Sequence, residues 1–180
     1  PRVDLGIPAG GAKVVVVRPE GAEVMTIPKA APETFGISQK WQIAVHPDGS
    51  ATATCERTWL GDFAIGARQE FSVEGQRLQV LQKMFTPTLG KLKITDSKFD
   101  DLKDLSKPEA KFTVTFELEK FAKGSGETVS LPTQFNDAQI AQMLQGIRML
   151  VAAPKREQDL LLTTMAINFH DDVEYELPAG

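Results

Sequence analysis

A single cysteine, Cys55, stands among 180 residues. It excludes an internal disulfide and any multi-thiolate metal site. It leaves the compartment open, because an exported protein without disulfides fits as well as a cytosolic one. Long apolar runs are missing too, and none approaches the ~18 residues that a membrane-spanning helix needs. Neither charge sign dominates: 20 Lys+Arg against 24 Asp+Glu leave −4, too little to steer the chain toward nucleic acid or anionic lipid. No Gly-x-Ser-x-Gly, no His-Glu-x-x-His, no phosphate-loop pattern and no tandem repeat occurs. What is present is ordinary in amount, at 42% hydrophobic and 24% charged with 14 Gly and 11 Pro. That profile belongs to a soluble globular domain large enough to bury a core.

Residues 1–12, with Gly6, Pro8, Gly10 and Gly11, read as a linker or lead-in, and 13–180 as one domain. Lys13–Val17 and Glu23–Ile27 flank Arg18-Pro19-Glu20-Gly21, which predicts a hairpin. From Gln39 to His46, Trp41, Ile43 and Val45 alternate with Lys40, Gln42 and Ala44, the period of a half-buried strand. Pro47-Asp48-Gly49-Ser50 turns the chain, and Ala51–Trp59 alternates again with Ala51, Ala53, Cys55 and Trp59 inward. The period then changes. Asp62 is placed to cap a helix running toward Phe71. Leu78, Leu81, Met84 and Phe85 mark an amphipathic helix that Pro87 and Gly90 end.

Lys91–Phe99 returns to strand, and the next strand alternates through Phe112, Val114, Phe116 and Leu118. Gly124-Ser125-Gly126 turns that strand into Glu127–Leu131 as a further hairpin. Asn136 or Asp137 caps a helix presenting Ile140, Met143, Leu144 and Ile147. Val151–Pro154, Leu160–Phe169 and Val173–Leu177 complete the strands. Roughly nine strands in antiparallel hairpins predict a mainly β (α+β) fold. Its form is an antiparallel β-sandwich with two or three short helices inserted near 62–86 and 136–147. A barrel is the competing architecture.

Chemistry-bearing residues are sparse. Cys55, His170 and Asp172 follow the chain order of a thiol protease, but a catalytic thiol needs a helix N-terminus or a nearby cation to lower its pKa. Cys55 sits mid-strand and reads as a small buried hydrophobe. His170-Asp171-Asp172 reads as a polar turn, with too few ligands for a metal site. His46 reads as a surface residue beside a turn, and Asp96, Asp100, Asp101 and Asp104 as a solvated loop without the glycine and glutamate of an EF-hand. Arg57 lies on the inward parity of its strand, where charge is costly unless paired. Either it snorkels into water, or it forms a structural ion pair with the Arg68 and Glu70 region that ties the first helix to the sheet. Trp41 and Trp59 lie on facing strands and either pack in the core or stack on a sugar. No catalytic, cofactor-binding or metal-binding residue follows from these patterns.

Ile43 to Ala51 carries a v-x-v-x-x-x-G-x-a frame. Gly61, Ala64 and Arg68 follow in Leu60–Arg68, then Arg148 with Met149-Leu150-Val151, then Tyr175-Glu176-Leu177-Pro178-Ala179-Gly180. This order resembles the C-terminal β-rich region of bacterial transglutaminase-like proteins that carry an N-terminal domain of unknown function. The resemblance covers most of 12–180. It implies a piece of a longer, exported protein, periplasmic or cell-surface, whose Cys-His-Asp site lies upstream. A cytoplasmic location stays open. Cys55 does not match the family's nucleophile, which opens a helix. The expected function is a non-catalytic accessory or interaction domain, not itself an enzyme. Its expected partners are the transglutaminase-like domain of the same parent chain, or another envelope protein or glycan. The alternative is a ligand-binding β-sandwich for carbohydrate or an acyl chain.

Overall fold

The computed structural model describes residues 11–28, 31, 34–125, 128–132, 135, 138–152 and 168–178. In chain order they form β1 (Lys13–Arg18), β2 (Gly21–Thr26), β3 (Gly36–Val45), β4 (Ala51–Leu60), α1 (Asp62–Glu70), α2 (Arg77–Leu89), β5 (Leu92–Phe99), β6 (Glu109–Leu118), β7 (Lys123–Ser125), β8 (Thr128–Ser130), α3 (Ala138–Val151) and β9 (Asn168–Glu176). A short 3-10 turn, Glu74–Gln76, leads into α2. The fold is mainly β and α+β, with three short helices inserted among the strands.

Five strands form the central sheet in the order β5-β6-β4-β3-β9. The period-two segments make its middle. Ile37, Gln39, Trp41, Ile43 and Val45 of β3 and alternate residues of β4 and β6 are buried, while their neighbours face out. Lys40, Glu56 and Thr113 lie in one cross-strand row on the outer face. Alternation puts every second side chain on one face, so a single register decides which set is covered.

The layer covering the apolar face is helical. Ala64 and Ala67 of α1, Leu81 and Phe85 of α2 and Ile140 of α3 join the sheet residues in one core. Where the sandwich expectation places a second sheet, these helices lie. Period-two alternation says that a strand face is covered and is silent about what covers it. Aromatic rings fill the contact: Trp41 meets Phe85 edge-on with centroids 5.6 Å apart, and Trp59 packs on Phe112 at 4.9 Å.

Several local expectations change. Gly61, not Asp62, precedes the first turn of α1, and Asp62 lies inside it as an acidic residue near the helix N-terminus. Pro87 lies within α2, which runs on to Leu89 before Gly90 ends it at φ 71°. The short strands around Gly124 pair with each other as a separate two-stranded sheet, instead of extending β6. Val151 closes α3 instead of opening a strand, and residues 160–167 of the expected Leu160–Phe169 strand lie outside the described residues. His170-Asp171-Asp172 is no turn: it lies inside β9, which runs parallel to β3.

Candidate functional site

The most distinctive polar arrangement starts from Gln39 and Arg57, the two buried polar side chains among the described residues, each 1% exposed. They are cross-strand partners on β3 and β4, on the inward face. The Arg57 Nε donates to Gln39 Oε1 at 3.0 Å, and Nη2 donates to the same oxygen. Nη1 lies 3.2 Å from Met84 Sδ on α2. The guanidinium carbon sits 5.0 Å from the Phe85 ring centroid, with Trp59 and Phe112 within 5.9 Å. An aromatic surround of this kind lowers the cost of a desolvated guanidinium through the ring quadrupoles.

The other end of Gln39 reaches outward. Its Nε2 donates to Asp171 Oδ1 at 2.8 Å on β9, and contacts the Phe135 carbonyl at 3.4 Å. A guanidinium only donates, so it turns the amide oxygen of Gln39 toward itself and the amide nitrogen toward Asp171. A buried cation, a neutral amide and a rim carboxylate thus form a polarised chain across three adjacent strands. Gln39 does not stand out in the sequence, and Asp171 does so only as part of the His170-Asp171-Asp172 run read as a polar turn. The usable signal for Gln39 was its parity with Trp41, Ile43 and Val45.

The ion pair considered for Arg57, Arg68 and Glu70 is replaced by two separate arrangements. Arg57 reaches Gln39 on β3 and Met84 on α2. Arg68 uses Nη2 to donate to the carbonyls of Lys107 at 2.8 Å and Glu109 at 2.7 Å, with Asp104 at 3.4 Å. It clamps the 100–108 loop onto α1. Glu70 is exposed and forms no ion pair among the described residues. In the clamped loop, the hydroxyl and amide of Ser106 hold the Asp104 carboxyl below the usual carboxylate range, and Ser50 does the same for Asp48.

Trp41 and Trp59 are 0% and 4% exposed, so neither indole offers a face to a sugar. Trp41 is enclosed by Phe85, Phe116 and Phe135. Cys55 is fully buried at the centre of the sheet, opposite Trp41 on one side and Val114 on the other. His170 and Asp172 are exposed on the outer face of β9, across the sheet from the Cys55 side chain. The structure therefore does not assemble Cys55, His170 and Asp172 into one site. His46 is exposed, with Nε2 3.1 Å from Thr52 Oγ1.

A second feature is a surface. β1 and β2 make a sheet of their own. Val15, Val17 and Val24 share one face of it and are 64%, 79% and 67% exposed. The comparisons with protein-family models, with curated proteins and with solved structures each return no match.

Proposed function

We propose that this chain is a non-catalytic accessory and interaction domain of a larger bacterial transglutaminase-like protein, periplasmic or cell-surface. The β1–β2 hairpin carries the proposal. A lone two-stranded hairpin is marginal in water, and this one turns three valines to solvent on a single face. An apolar β face of that kind is typical of a contact surface. The partner is the transglutaminase-like domain of the same parent chain, and that assignment, like the bacterial and exported setting, rests on the sequence resemblance.

Burial of Cys55 favours a structural over a nucleophilic role, since a thiol at the centre of a sheet cannot meet a substrate. Burial of Trp41 and Trp59 takes away the feature that favoured the carbohydrate-binding alternative. Hydrogen exchange on this chain, alone and joined to the neighbouring transglutaminase-like domain, tests the proposal. Amides of 13–26 are expected to gain protection in the joined protein. Equal exchange in both, or amide transfer by this chain that Cys55→Ala abolishes, would sink it.

A further inference from the structure

The parallel edge strand β9 differs from the rest of the sheet in how it is held. Its inward residues Phe169, Val173 and Tyr175 are only half-buried, and the others are exposed. By contrast, the inward residues of β3 are all buried. Among the described residues β9 pairs with β3 alone. Parallel pairing is slightly weaker per residue than antiparallel pairing. Two side-chain hydrogen bonds supplement this thin apolar attachment: Gln39 Nε2 donates from the core to Asp171 Oδ1 at 2.8 Å, and the Tyr175 hydroxyl donates to the Pro132 carbonyl at the rim.

We propose that β9 is a releasable strap. It opens from β3 as a unit while β3, β4, β5 and β6 stay folded, and the Gln39–Asp171 hydrogen bond, oriented by Arg57, is its catch. Gln39 and Asp171 are register partners. The catch therefore closes in one register only, because a one-residue slip carries Asp171 to the opposite face. The carboxylate makes the bond charge-assisted and stronger than a neutral pair. When the strap opens, the β3 backbone edge from Gly36 to Ala44 is uncovered, a row of donors and acceptors open to another strand. Opening leaves the Arg57–Gln39 contact inside the remaining four strands, so the catch can close again on a prepared partner.

Native-state hydrogen exchange tests the proposal on three single variants. Gln39→Glu keeps the oxygen that Arg57 needs and loses the nitrogen that reaches Asp171. Asp171→Ala removes the carboxylate at an exposed position, where folding is preserved. Asp172→Ala is the control, since Asp172 lies on the outer face in register with Lys40. In the unaltered protein the protected amides of β9 are expected to exchange faster than those around Cys55 and Val114. Gln39→Glu and Asp171→Ala each speed β9 exchange at least tenfold and leave β4 and β6 unchanged, whereas Asp172→Ala does neither. The proposal fails if β9 exchanges in step with β4 and β6, if the first two variants leave β9 unchanged or speed every strand alike, or if Asp172→Ala acts like Asp171→Ala.

Discussion

Arg57 and Gln39 depend on each other unequally. The guanidinium is a permanent charge, so removing Gln39 deprives a buried cation of two hydrogen bonds, whereas removing Arg57 deprives a neutral carbonyl of its donors. Arg57→Met is expected to cost about 1–3 kcal/mol, the usual cost of leaving one buried acceptor unsatisfied. Gln39→Leu should cost more, although it deletes the smaller and uncharged group. Denaturant midpoints of the two variants check the order, and a Gln39→Leu midpoint at or above that of Arg57→Met would refute it. Inward parity on β4 was enough to mark Arg57 as a buried-charge problem from sequence. The contact with Gln39 was not legible, because charge pairing pointed to Glu70, whereas Gln39 offers Arg57 a neutral amide on β3.

Hairpins were legible where the local pattern contains the whole instruction. β3 and β4 meet across Pro47-Asp48-Gly49-Ser50, and the turn and the alternation fix their register together. Nothing local encodes the parallel docking of β9, which joins residues more than 120 positions apart, as with Gln39 and Asp171 at a separation of 132. Its signal lies at Gly36, on the far strand. A Cβ placed there would stand 1.9 Å from the backbone oxygen of Asn168, and the Asn168 amide donates to the Phe35 carbonyl at 3.0 Å. The first residues of β9 thus lie against a position that only glycine leaves open. Gly36→Ala is expected to push the start of β9 away from β3 while the β3–β4 pairing holds. Backbone chemical-shift changes confined to 34–38 and 168–171 would agree with this, and an unaltered β9 would contradict it.

One core, built from one sheet face and three helices, makes the whole molecule's response to pH a matter of its periphery. Hydrogen bonds from Ser50 and Ser106 hold the Asp48 and Asp104 carboxyls below the ordinary carboxylate range. Their stabilisation is present above the ordinary carboxylate range and is lost as pH falls through the lowered values. Glu117 raises Lys93 and Glu109 raises Lys111 above 10.5, and burial raises Tyr175 above 10.0. For these three the contribution is complete below the unfolded values and is lost as pH rises through the raised ones. Stability is therefore expected to be level from about pH 5 to pH 9, with a shallow decline on either side. That level stretch includes the sequence pI of 5.3 without peaking there. Tyr175 is the sole tyrosine and lies on β9, with its hydroxyl donating to the Pro132 carbonyl, so the alkaline side has its own reporter. The midpoint of tyrosinate absorbance should lie above the ordinary tyrosine value in the folded protein and fall back toward it in Gln39→Glu if the strap is open. A denaturation midpoint that stepped between about pH 6 and 8, inside the range expected to be level, would instead show that a group other than these five governs the folded state.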